Sequence, residues 1–224
     1  MLTIHHLNES RSQRVIWLAE ELGLPYRIEH HARNPGTKLA PESLKRLHPL
    51  GKAPLVERDG KVLAETGFII EQLARGTDLL PPEGTDTGDR VRYWLQFAEG
   101  SAMPPLVTKF ALSVVPSQVP MFVRPIARMI VGGLNKAWLD PDMKRLLAFW
   151  EDTLAQGGWF AGDRFTAADV MMSYPVEMAA LRGGLADRPA TRGWLDRIHA
   201  RPAYQRALVA GGPYSGAGTG ERTA

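Results

Sequence analysis

Two serines stand two residues apart in Asn8-Glu9-Ser10-Arg11-Ser12-Gln13-Arg14, just after a short β-prone run and just before an apolar helical pattern. A chain that leaves a strand and turns into a helix presents unpaired backbone N–H groups, and the helix dipole adds positive potential there. A thiolate delivered to that point is stabilised. A free thiol has a pKa of about 8.5, and lowering it by about 2 units takes roughly 2.7 kcal/mol. A hydroxyl donating to a charged acceptor supplies about 1.5–3 kcal/mol, and the helix end about 0.3–1 kcal/mol. The sum suffices without a general base. Ser10, read as the helix cap, projects at the anion site; Ser12, inside the first turn, points less directly at the strand's end. Ser10 is therefore the favoured donor and Ser12 its rival. Arg11 can add field, and Arg14 reads as the structural partner of a buried carboxylate.

Two further segments can bind rather than react. Ala53-Pro54 is an X-Pro bond of the kind that is cis in tight turns, with Lys52 beside it able to reach a carboxylate. Glu65-Thr66 precedes an apolar helical run. Read as the cap of that helix, Thr66 can hold a carboxylate through its hydroxyl and N–H, while Glu65 can accept from an ammonium group. The pairs His5-His6 and His30-His31 are potential metal ligands by type. Neighbours on a strand point to opposite faces, so neither pair easily shares an ion, and no metal is expected.

The chain as a whole sets bounds. It has 224 residues, 44% hydrophobic and 23% charged, ordinary values for a globular protein able to bury a sizeable core. It has no cysteine, which excludes thiolate metal sites, disulfide scaffolds and a cysteine nucleophile of its own. The net charge is +3, from 20 arginines and 7 lysines spread without a basic run of five. A nucleic-acid binder concentrates its charge, so that class is not expected. No apolar run approaches the ~18 residues needed to span a membrane, and the first residues lack the pattern of a signal peptide. A cytoplasmic protein without a membrane partner is the expectation.

The elements that must position these residues follow from periodicity and punctuation. Residues 2–7 alternate as a strand; 11–22 carry a helical apolar face ending at Gly23; 26–31 read as a second strand. Pro35-Gly36 marks a loop, and Pro41 opens a short helix to about residue 47. Two short apolar runs around Arg58-Asp59-Gly60 read as a hairpin, and a helix follows from Thr66. The order β-α-β-α-β-β-α makes a small α/β unit. Beyond it no strand is expected. Residues 87–102 read as a helix broken or kinked by Pro104-Pro105, and 106–137 as helix interrupted at Pro116, Pro120 and Pro125. Helices follow at 141–156, from Thr166 with Asp169 in a capping box, near 189–199, and at 202–209. The expected divisions are 1–80, a linker at 81–88, a helical domain over 89–210 and a flexible Gly/Ser/Thr-rich tail over 211–224.

This arrangement resembles the glutathione transferases. Asn8–Arg14 looks like the family's catalytic turn, Gly51-Lys52-Ala53-Pro54-Leu55 like its cis-proline segment, and Glu65-Thr66 like its γ-glutamyl-holding pair. Gly162–Asp169 is similar to the structural box that opens the family's sixth helix. The first turn resembles a serine-type bacterial and fungal branch. The resemblance implies a thioredoxin-like N-terminal domain, an all-α C-terminal domain, glutathione as co-substrate and a homodimer. It implies that Ala53 pairs with the cysteinyl part of glutathione and that Lys38 or Arg33 meets the glycyl carboxylate. Glu99 resembles the acidic residue that reaches the ligand's amine across a dimer. A second, small apolar electrophile is expected between the domains, with Met103, Leu106, Val107 and Phe110 (and Pro104 beside them) as its wall. The leading expectation is conjugation. Glutathione-dependent disulfide or peroxide reduction on the same site, and a non-catalytic binding or interaction protein of the same fold, stand beside it.

Overall fold

The computed structural model describes residues 1–37 and 39–218. Strands β1 (Leu2–Leu7), β2 (Tyr26–His31), β3 (Leu55–Arg58) and β4 (Lys61–Ala64) form one sheet in the order β2-β1-β3-β4. β1 runs parallel to β2, with Ile4 opposite Ile28, and antiparallel to β3, with Ile4 opposite Val56. β3 and β4 form the expected hairpin. Asp59 and Gly60 have φ of 52° and 75°, the left-handed pair a two-residue turn of this hand requires. Helices α1 (Ser12–Glu21), α2 (Glu42–Leu47) and α3 (Thr66–Ala74) complete this thioredoxin-like half.

β1 is buried along its whole length because both of its faces are covered. Leu2 and Ile4 join Val56 and the apolar residues of α1 and α3 in the main core. Leu7 and Leu55 face the other way, onto Leu44 of α2, in a small second core. That alternation sends His5 and His6 to opposite sides, the geometry the period of two dictates.

The rest of the described chain is helical: α4 (Asp86–Phe97), α5 (Met103–Val114), α6 (Arg124–Leu134), α7 (Asp140–Gly157), α8 (Ala167–Ala180), α9 (Pro189–His199) and α10 (Pro202–Gly211). Thr85 caps α4, its hydroxyl accepting from the Gly88 N–H, so helix begins inside the segment expected as linker. Pro104-Pro105 does not break the path. A wide turn over Ala98–Ala102, closed by the Met103 N–H on the Ala98 carbonyl, carries the helix into α5. Such a turn changes the bonding register just where two residues without an N–H enter.

The capping box at α8 is present in both directions, with the Thr166 N–H donating to Asp169 Oδ2 at 2.9 Å. Asp169 also accepts from the Phe160 N–H at 3.1 Å and Trp194 Nε1 at 2.9 Å. Burial pushes its carboxyl up and these three donors, with the Thr166 hydroxyl, pull it back, to about 6. Residues 211–218, expected as part of a flexible tail, make buried contacts with the helical half. Tyr214 is 2% exposed, and its hydroxyl donates to the buried Glu177 at 2.7 Å, so the segment is tied down as a strap. Among the described residues, no helix is long and apolar enough to cross a membrane.

Candidate active site

The site forms where β1 ends and α1 begins. α1 starts one residue later than expected: Arg11 occupies the cap position without a side-chain capping bond to the helix, and Ser10 lies just outside. Ser10 still serves the turn. Its hydroxyl oxygen accepts from the Ser12 N–H at 3.2 Å, and its carbonyl from the Gln13 N–H at 3.3 Å. The Arg14 N–H donates to the Arg11 carbonyl at 3.2 Å. The later helix start turns Ser12, and here the sequence reasoning is corrected: Ser12 points straight at the strand's end. Its Oγ accepts from the Leu7 N–H at 3.2 Å and lies 3.3 Å from the Leu7 carbonyl, 2.9 Å from His6 Nδ1 and 2.7 Å from Ser10 Oγ. Ser12 is fully buried, and Ser10 is the outer member of the pair.

His6 stays neutral. Burial and the neighbouring His30 lower its pKa to about 4, against a hydrogen bond to the Gly211 backbone that raises it. In the neutral ring with its proton on Nε2, Nδ1 is the acceptor for the Ser12 hydroxyl 2.9 Å away. His5 and His31, one strand apart, bond through Nδ1 and Nε2 at 3.1 Å, and the chain of contacts continues to Glu57 and Ser43. The histidines therefore pair across strands. Among the described residues, no group of three or more metal-ligating side chains could hold an ion.

Arg14 is the structural residue expected: its guanidinium, 2% exposed, donates to Glu99 at 2.7 Å and to the Met171 carbonyl at 2.6 Å. Arg11 also reaches Glu99, at 3.2 Å. Burial alone would raise the Glu99 carboxyl, but the two guanidiniums outweigh it and hold it below the usual carboxylate range. The structure thus places Glu99 in an ion pair within its own chain. Tyr174 on α8, which sequence reasoning missed, lies under both cations at 5.1 and 5.2 Å.

The binding segments surround this turn. The Ala53-Pro54 bond is cis, and Pro54 directly precedes the start of β3. Lys52 is exposed beside it. Thr66 is the first residue of α3, and the cap is Glu65, at φ 69° with no side-chain bond to the helix. Arg33 donates to the Asn8 and Glu9 carbonyls at 3.3 and 3.4 Å, bracing the turn. Lys38 lies outside the described residues. The four wall candidates do not form one surface: Met103 and Leu106 are buried in the main core, while Val107 and Phe110 are about half exposed. His6, Glu9, Tyr174 and Ser215 entered through tertiary contacts that no spacing announced.

A thioredoxin-like sheet domain with a cis-proline beside a hydroxyl-bearing turn, backed by an all-helical domain, defines a two-domain thiol-handling enzyme class. The chain matches the family models described as glutathione S-transferase, N-terminal domain, over residues 10–75, and C-terminal domain, over residues 137–197. It is 36% identical over 213 residues to glutathione S-transferase 3 of Schizosaccharomyces pombe, covering 92% of this chain and 86% of that one. It is 26% identical over 219 residues to the disulfide-bond oxidoreductase YfcG of Escherichia coli, covering 93% and 95%. A crystal structure of a glutathione S-transferase from Actinobacillus pleuropneumoniae superposes with a TM-score of 0.72 at 31% identity, covering 93% and 92%. The chain belongs to the glutathione S-transferase family and is an enzyme of that class.

Proposed function

We propose that the enzyme is a serine-type transferase, in which Ser10 stabilises the glutathione thiolate for attack on small apolar electrophiles. The observation that carries this reading is the hydroxyl pair. Ser12 spends its proton on His6 and its lone pairs on Leu7 and Ser10. The N–H groups of Ser12, Gln13 and Arg14 already have acceptors inside the turn. The Ser10 hydroxyl proton, which rests on Ser12 Oγ here, can turn outward to a ligand, and α1 has no acidic residue in its first turn to oppose an anion there. In the reaction the sulfur lone pair forms a bond to the electrophilic carbon. The leaving group departs with its electron pair, and the thiol proton passes to solvent.

The rest of the ligand follows from the surrounding segments. The γ-glutamyl carboxylate sits at the first N–H groups of α3, beginning at Thr66, with Glu65 accepting from the ammonium group. Glu65 is a non-glycine residue at positive φ, a conformation retained at sites where a side chain must be aimed. Ala53 pairs its main chain with the cysteinyl residue as an added short strand, and Lys52, Lys38 or both meet the glycyl carboxylate. Val107 and Phe110 remain for the second substrate. A homodimer would cover the apolar side chains exposed on α6 and its flanks, among them Phe122, Ile126, Met129, Ile130 and Trp138.

A second reading is supported by the similarity to an oxidoreductase. One glutathione thiolate attacks a disulfide and releases a thiolate, and a second glutathione attacks the mixed disulfide to release oxidised glutathione. Two glutathiones supply the two electrons, and no protein thiol is needed. A crystal structure with glutathione tests the shared site: its sulfur should lie within hydrogen-bond reach of Ser10 Oγ. A sulfur nearer to Ser12, or density elsewhere, would overturn the assignment. A panel of aryl halides, epoxides, peroxides and mixed disulfides separates the two chemistries.

A further inference from the structure

Glu9, the residue before Ser10, is held at φ 51°, a conformation an ordinary side chain rarely adopts. Its two carboxylate oxygens both accept from the backbone N–H of Ser215, at 3.1 Å each, across 206 residues of sequence. Ser215 is no loose end. The adjoining Tyr214 is buried, and its hydroxyl shares the buried Glu177 carboxylate with Tyr204, at 2.7 and 2.6 Å. The Tyr214 ring also stacks on Tyr174 at 6.4 Å, the ring that carries Arg11 and Arg14.

The start of the same strap reaches the other side of the turn. The Gly211 backbone lies at the His6 ring, and His6 leads through Ser12 to Ser10. A Cβ at position 211 would meet the Gln13 amide oxygen and Ile16 of α1, so the strap lies close against that helix. Residues 211 and 215 therefore reach the neighbours of Ser10 from two directions.

We propose that the C-terminal strap is a positioning element of the catalytic turn, acting on Ser10 through the Glu9 carboxylate. This rests on the reading of Ser10 as the thiolate donor. The strap makes no contact that performs chemistry. It fixes the backbone that aims the hydroxyl, and a misaimed hydrogen bond weakens steeply with angle.

Two variants remove the tether from opposite ends. Glu9→Ala deletes the acceptor. Ser215→Pro deletes the donor N–H together with the serine hydroxyl: Tyr214 is already extended, at φ −144° and ψ 117°, as a residue before proline must be, and position 215 opens a short helical turn. The readout is the ultraviolet absorbance of bound glutathione thiolate against pH, with Ser10→Ala in the same series. Each tether variant should shift the curve to higher pH and slow conjugation at pH 6.5 by about 3–10-fold. The KM for glutathione should stay within about twofold, because the peptide arms are held elsewhere. Glu9→Gln, which keeps one acceptor oxygen, should restore most of the loss. The double variant should lose little more than either single one, since both remove the same bond. If Ser10→Ala moves the curve and neither tether variant does, the strap has no positioning role. If Ser10→Ala leaves the curve in place, the donor reading falls, and the proposal falls with its target.

Discussion

His6 ties stability to pH through the residue that orders the serine pair. Its ring binds a proton at about 4 in the folded chain, against the ordinary 6.5. Between these values the unfolded chain takes up a proton that the folded chain refuses, so stability is lost as pH falls from 6.5 toward 4 and levels off below. Between pH 7 and pH 4.5 that loss amounts to about 2 kcal/mol for this one group. His31 is depressed too, by burial first and by His5 next, and contributes in the same direction. His6→Asn removes the titration while an amide can still meet Ser12 Oγ. Urea unfolding at both pH values, at fixed protein concentration, isolates the His6 share as the difference between wild type and variant. The variant should start less stable at pH 7 and lose about 2 kcal/mol less on acidification. Equal losses in both proteins would refute a neutral His6 buried against Ser12, and with it the assignment of the Ser12 proton.

Three further outcomes are expected. Asp169→Ala leaves the Phe160 N–H, Trp194 Nε1 and the start of α8 without their acceptor, and should cost about 3–5 kcal/mol by chemical denaturation. Glu99→Ala strands the buried Arg14. Because Glu99 is itself 35% exposed, the expected loss is about 2 kcal/mol, below that of a fully buried pair, and the thermal midpoint should fall accordingly. Light scattering should give about 49 kDa, twice the 24.7 kDa chain, and Met129→Glu with Ile130→Glu on the exposed face of α6 should shift it toward the monomer.

The sheet half was legible because its signals are local. The Asp59-Gly60 turn, the alternation in β1, and the proline and glycine punctuation each fix a boundary within a residue or two. Thr166 with Asp169 announced α8 in the same way. What escaped depends on groups far apart in sequence. The Gly/Ser/Thr content of the last residues reads as loose chain, yet Tyr214 finds a buried acceptor in Glu177, 37 residues away. Glu99 read only as an acid for a ligand's amine, and its ion pair was hidden because Arg11 and Arg14 lie 88 and 85 residues earlier. Ser12 was misaimed by a shift of one residue in the helix start, since one residue turns a side chain by about 100° around the axis. The helix through Pro104-Pro105 survives by a wide turn that no propensity announces.

The central claim is that Ser10, and not Ser12, donates to the thiolate. The direct measurement is the pH titration of thiolate absorbance for glutathione bound to wild type, Ser10→Ala and Ser12→Ala. Loss of a charged hydrogen bond worth about 1.5–3 kcal/mol should raise the bound thiol's pKa by about 1–2 units in Ser10→Ala. Ser12→Ala should move it less, through the loosened pair. A full shift in Ser12→Ala with none in Ser10→Ala would transfer the role to the inner serine and contradict the account.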